Sequence, residues 1–178
     1  SRPILGWGVW TIDLILHIGM GKTGSSSIQH ALAASAETLR DQRADYLGMW
    51  FDMIDPAFRG VERQASFFEQ PPGVLREQAA IFLETLKQRV KERGTRRFIL
   101  SNEALSGRSA AMQAFLEPLR DALTVRAIGY VRAPATWLPS AYVQWGVCEK
   151  ITIGRVPPYE NKARELARWY RGVLEWHD

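Results

Sequence analysis

Short apolar runs alternate with helix-like patterns along most of this chain. Runs of four to eight apolar residues bounded by turn residues are typical of buried strands, whereas apolar positions three and four apart indicate helices. The predicted strands are residues 13–18, 45–51, 97–101 and 124–131. The predicted helices are residues 25–43, 75–93, 112–123, 134–145 and 163–174. Between them, the proline- and glycine-containing residues 52–72 predict a long loop with one short helix.

This alternation predicts an α/β fold with three layers, in which helices cover both faces of a central parallel sheet. The chain has 178 residues, of which 46% are hydrophobic, so we expect a single domain with residues 1–11 as an N-terminal extension. Ligands of such folds bind beyond the carboxyl ends of the strands. The segments that follow the strands, residues 19–27, 102–108 and 132–140, are therefore the candidate site.

Charge and cysteine content narrow the classes of partner. The net charge is +4, and the lysines and arginines are spread along the chain, which favours an anionic ligand over a nucleic acid. Cys148 is the only cysteine, so no intrachain disulfide can form, and its helical pattern predicts a buried side chain. We expect no signal peptide, no stable membrane insertion and a cytoplasmic location. Oligomeric state stays open.

An anion-binding loop is predicted directly after the first strand, in 19-GMGKTGSSS-27. The glycines allow backbone N–H groups to converge, Lys22 adds a full charge, and the three serines add hydroxyl donors. The N-terminus of the following helix adds partial positive charge, so phosphate is the expected anion. A glycine turn whose serines merely cap the helix is the simpler alternative.

The loop departs from the pattern of nucleoside triphosphatases. Their sequence G-x-x-x-x-G-K-[ST] requires glycine at position 16, which is leucine here. A magnesium-dependent enzyme also needs an acidic ligand near a strand end, and residues 97–103 offer only Glu103. We therefore expect no metal site, although a kinase or NTPase with a degenerate loop stays an alternative.

Two segments together resemble sulfotransferases that use 3′-phosphoadenosine 5′-phosphosulfate (PAPS). The segment 22-KTGSSSI-28 is similar to their 5′-phosphosulfate loop, K-[ST]-G-[TS]-[TS]. In 130-YVRAPATWLPSAY-142, Arg132, Pro134 and Ser140 match a 3′-phosphate motif in which proline follows arginine by two residues and serine by eight. The resemblance extends from about Leu14 to Tyr142 and implies the P-loop-like sulfotransferase fold.

This resemblance implies that a sulfuryl group moves from PAPS, a co-substrate, to a hydroxyl or amine acceptor. The acceptor would be a small molecule or a glycan, with a carbohydrate favoured. Lys22 would contact the bridging oxygen and Glu103 would be the base. Arg132, whose planar guanidinium suits phosphate, would bind the 3′-phosphate with Ser140. The implied ligands of the 5′ side are Gly21, Lys22, Thr23, Gly24, Ser25, Ser26 and Ser27.

The chain also departs from the family. Ser27 stands where the cytosolic members have tryptophan, so the adenine-stacking residue is not identified. The family continues with another strand and phosphate-binding segment, which we expect to be missing after 174-LEWHD-178. A non-catalytic nucleotide-binding protein is therefore a further alternative. His17, Asp52 and Asp55 are rival bases, of which His17 is expected to pack within its strand.

Overall fold

The computed structural model describes residues 11–149, 154–172 and Trp176. Residues 1–10 of the predicted N-terminal extension lie outside this range. Residues 173–174, at the end of the last predicted helix, also lie outside it. One sheet forms the centre of the fold, and all of its described strand pairs are parallel. Its strands are β1 (Ile12–His17), β2 (Ala44–Gly48), β3 (Arg97–Ser101) and β4 (Leu123–Ile128). Helices flank the sheet, which confirms the predicted α/β class.

Helices lie in the connections between successive strands, as parallel pairing requires. The α-helices are α1 (Ser25–Ala34), α2 (Ala36–Asp41), α3 (Val61–Phe68), α4 (Pro72–Arg93), α5 (Ser109–Leu116), α6 (Pro134–Tyr142) and α7 (Tyr159–Gly172). Short 3₁₀ segments cover Pro56–Phe58, Glu103–Gly107 and Glu117–Leu119, and a π-helical turn covers Val143–Cys148. None of the helices in the described ranges is long and apolar enough to cross a membrane.

The strand order β2-β3-β1-β4 places β1 inside the sheet, with β3 on one side and β4 on the other. Leu14 is fully buried and pairs in register with Phe98 of β3 and Val125 of β4. After β1 the chain first builds β2 and β3, and then crosses to the opposite side for β4. The loops that follow β1, β3 and β4 consequently meet at one edge, where α/β folds bind ligands.

A cluster of phenylalanines fills the core beside the sheet. Phe51 stacks on Phe67 with ring centroids 4.1 Å apart, and Phe115 contacts both edge-on at 5.5 and 5.4 Å. All three side chains are buried. Phe67 belongs to α3, which lies within residues 52–72. This segment contains a 3₁₀ segment as well as an α-helix, so it is more helical than predicted.

Several predicted boundaries are wrong. The helix predicted over 25–43 breaks at Ser35 into α1 and α2. The helix predicted over 112–123 ends at Leu116, before Pro118, and Leu123 begins β4 instead. Proline has no N–H with which to continue the helical hydrogen bonds. The strand predicted over 124–131 ends at Ile128. Cys148, the last residue of the π-helical turn, is exposed rather than buried.

Truncation of Phe115 to alanine should reduce the free energy of unfolding by about 3–5 kcal/mol, since it leaves a cavity among packed rings. Urea unfolding followed by fluorescence measures the change. Val61→Ala is the control, because Val61 is 75% exposed and should change stability by less than about 0.5 kcal/mol. Equal effects of the two substitutions would contradict the described core.

Candidate functional site

A cavity of about 520 Å³ lies where the loops after β1, β3 and β4 meet. The loop after β1 contributes Gly21, Lys22, Gly24, Ser25 and Ser26 to its wall. The segments after β3 and β4 contribute Glu103, Arg132, Ser140, Gln144, Trp145 and Glu149. Residues that the sequence singled out in three separate segments therefore line one cavity, although Thr23 and Ser27 do not.

The loop between β1 and α1 has an unusual backbone. Gly24 caps α1 with φ 92°, in the left-handed region that glycine adopts without strain. Lys22 also has a left-handed backbone, with φ 68°. A residue with a Cβ atom rarely adopts that conformation, and such strain is concentrated at functional sites.

Thr23 and Ser27 lie away from the cavity wall. The Thr23 hydroxyl donates to the carbonyl of Met20 at 2.5 Å and closes the loop on itself. Ser27 is exposed on the first turn of α1, where its N–H donates to the carbonyl of Gly24. Thr23 therefore stabilises the loop shape that presents Lys22, and Ser27 faces solvent.

Glu103 is held at the N-terminus of α1. Its carboxylate accepts a hydrogen bond from the hydroxyl of Ser25, which is buried. The preceding residue, Asn102, is also buried and donates to the carbonyl of Met49 and to Gln64, each at 2.7 Å. Asn102 thus anchors the segment that carries Glu103, and the partial positive charge of the helix end favours a carboxylate at this place.

Ser140 reaches the cavity from α6, and Arg132 reaches it from the segment between β4 and α6 rather than from a strand end. Arg132 lies four residues beyond β4 and is exposed. Its Nε donates to the Thr136 hydroxyl at 3.2 Å, and its carbonyl accepts from the Tyr170 hydroxyl at 3.0 Å. Ser140 is half-buried within α6. The motif spacing identified both cavity residues, whereas Thr136 and Tyr170 were not predicted.

Two tryptophans pack α6 and its extension against Gly21. The buried indole of Trp137 donates from Nε1 to the carbonyl of Gly21 at 2.8 Å. The ring of Trp145 lies so close that a Cβ atom on Gly21 would approach it to 2.8 Å. Glycine is therefore needed at position 21 for close approach of this ring. The apolar helical pattern in the sequence includes Trp145 but does not indicate its contact with Gly21.

His17 lies buried below the loop and does not line the cavity. Its Nδ1 shares a 2.7 Å hydrogen bond with the Ser101 hydroxyl, and within the described part of the chain its Nε2 has no partner. Burial lowers the pKa of His17 below its ordinary value of 6.5, and the Glu103 carboxylate opposes part of that shift. This buried position agrees with the expectation that His17 packs within its strand.

The two aspartates considered as bases also lie outside the cavity wall. Asp52 pairs with Arg59 at 3.6 Å, and Asp55 accepts from the N–H of Ala57 at 2.8 Å as a helix cap. Glu103 and Glu149 are the carboxylates of the wall. Among the described residues, no group of three histidine, cysteine, aspartate or glutamate side chains could hold a metal ion.

No protein-family model matches the chain, and no curated protein matches it. The resemblance to sulfotransferases therefore depends on the two motifs and on their spacing.

The free energy of unfolding should fall as the pH drops below about 6.5, because the unfolded chain then binds a proton that buried His17 resists. The contribution is complete above that pH and is lost as the pH falls toward the lowered pKa. His17→Gln should flatten this dependence in urea titrations at about pH 7.5 and about pH 5.5. His30→Gln, on the exposed side of α1, is the matched control and should keep the wild-type dependence.

Proposed function

We propose that this protein is a sulfotransferase that moves the sulfuryl group of PAPS to a hydroxyl or amine acceptor. The observation that supports this function best is that Lys22 and Ser26, from one motif, line the same cavity as Arg132 and Ser140, from the other. PAPS carries anionic groups at two ends and needs both motifs together. The cavity volume of about 520 Å³ is within the range of small-molecule sites, about 300–1,000 Å³.

The cationic residues on one side of the cavity wall suit an anionic donor such as PAPS. Lys22 and the start of α1 would bind the phosphosulfate, since a lysine and a helix N-terminus both attract anions. Arg132 and Ser140 would bind the 3′-phosphate with charge-assisted and neutral hydrogen bonds. Trp145 is an aromatic ring on the same wall and is a candidate for stacking against adenine or acceptor.

In the proposed reaction the acceptor oxygen or nitrogen forms a bond to sulfur while the bond from sulfur to the bridging oxygen breaks. Adenosine 3′,5′-bisphosphate leaves, and the Lys22 ammonium stabilises the negative charge that develops on the bridging oxygen. Glu103 accepts the proton of the acceptor. The Ser25 hydroxyl, which donates to Glu103 in the described state, would orient that carboxylate.

Arg132→Ala should lower the affinity for adenosine 3′,5′-bisphosphate by about ten- to a hundredfold, the loss expected for hydrogen bonds to a charged group. Binding of adenosine 5′-phosphate should change little, because it lacks the 3′-phosphate. Isothermal titration measures both affinities, and Arg120→Ala, at an exposed site, is the control.

Equal losses for the two nucleotides would remove Arg132 from the 3′-phosphate role. Failure of the folded wild-type protein to bind millimolar adenosine 3′,5′-bisphosphate would overturn the proposed donor. Magnesium-dependent binding of ATP in preference to PAPS would instead favour a kinase or NTPase.

Lys22→Ala and Glu103→Gln should each slow sulfuryl transfer by about a hundredfold or more, as expected for loss of charge stabilisation or of a general base. Formation of adenosine 3′,5′-bisphosphate from PAPS, with a panel of carbohydrate, phenol and amine acceptors, measures the rate. Lys87→Ala on α4 should leave it unchanged. Wild-type binding without transfer to any acceptor would favour a non-catalytic nucleotide-binding protein.

A further inference from the structure

The side chain of Lys22 has a partner that neither motif includes. Its Nζ donates to Oε1 of Gln144 at 3.2 Å. Gln144 in turn donates from Nε2 to the carboxylate of Glu149. Lys22, Gln144 and Glu149 all line the cavity, so this chain of hydrogen bonds runs along its wall.

The π-helical turn explains why Gln144 and Glu149 meet. In a π-helix the hydrogen bonds join residues five apart, and such turns are frequent at functional sites. The N–H of Glu149 donates to the carbonyl of Gln144 at 2.7 Å. An α-helix would bring Gln144 beside residue 148 instead.

The paired groups also determine which way the amide of Gln144 faces. A carboxylate can only accept hydrogen bonds and an ammonium can only donate them. The nitrogen of the amide must therefore face Glu149, and its oxygen must face Lys22. Neither group would find a complementary atom if the amide were reversed.

We propose that Gln144 positions the Lys22 ammonium over the cavity, and that Glu149 orients Gln144 for this purpose. This inference gives Lys22 the anion-binding role of the proposed function. An ammonium has three donors, so the contact with Gln144 leaves two for an oxyanion. A free lysine side chain loses considerable rotamer entropy when it binds, and prior restraint reduces that cost.

A neutral amide suits this position better than a carboxylate would. A carboxylate would also hold Lys22, but its charge would repel an anionic ligand and the nearby Glu149. Gln144 orders the ammonium without neutralising it. The strained backbone of Lys22 fixes the base of the side chain, and Gln144 fixes its end.

The positioning contact is tested in the ligand-free protein by the rate at which an amine-reactive acylating reagent modifies Lys22. Peptide mass spectrometry gives the rate, with Lys87 as the internal reference. Gln144→Met has a similar shape without the acceptor, and should raise the rate at Lys22 by about two- to tenfold, the range for one hydrogen bond. Gln144→Glu keeps an oxygen acceptor and should leave the rate at or below that of the wild type.

Gln88→Met is the matched control, because Gln88 makes the same kind of bond to Glu92 on the exposed face of α4. It should leave Lys22 unchanged. A Gln144→Met rate equal to this control would overturn the proposal. So would an equal rise in Gln144→Met and Gln144→Glu, since that would indicate general loosening rather than loss of an acceptor.

Nucleotide affinity gives a second measurement. Gln144→Met should lower the affinity for adenosine 3′,5′-bisphosphate by about two- to tenfold. In a protein that already carries Lys22→Met, the same substitution should cause no further loss of affinity. An equal loss in both backgrounds would show that Gln144 acts without Lys22 and would overturn the proposal. If the wild-type protein does not bind this nucleotide, the proposed function fails, and the labelling rates still decide whether Gln144 positions Lys22.

Discussion

The candidate site depends on one hydrogen bond, from the indole of Trp137 to the carbonyl of Gly21. A buried indole N–H needs an acceptor, so this bond determines how α6 lies on the loop after β1. Ser140 follows Trp137 by about one helical turn and takes its place from it. The spacing between Lys22 and the α6 residues of the cavity is thus set by main-chain and aromatic contacts rather than by the charged side chains themselves.

Charge is distributed unevenly around the cavity. Lys22 and Arg132 are its cationic residues, and Glu103 and Glu149 are its acidic ones. In the proposed reaction the polyanionic donor would contact the cations, and the acceptor would approach the carboxylates. Both acidic side chains accept hydrogen bonds from neutral neighbours, Glu103 from Ser25 and Glu149 from Gln144.

The strands and the motif residues were largely predictable from the sequence, for physical reasons. Residues 97–101 form a strand with the predicted bounds, because the run is too short for a helix and turn residues flank it. Lys22 was identified from the glycine-rich loop that follows a strand, and Arg132 was identified from the resemblance of its segment to a 3′-phosphate motif. Gln144 and Glu149 were not predicted, because a π-helical turn has no simple sequence pattern. The break at Ser35 and the exposure of Cys148 depend on tertiary packing, which local periodicity does not contain.

The cavity wall also has a consequence for folding. Its residues come from Gly21 to Glu149, so the site can close only after β1, β3 and α6 have all assembled. Contacts between segments so distant in sequence form slowly, because a long loop must be ordered before they form. A ligand held by both ends of the cavity would therefore bind only the completed fold and would slow its opening. Occupancy of the site would then control how long the native chain survives proteases and heat.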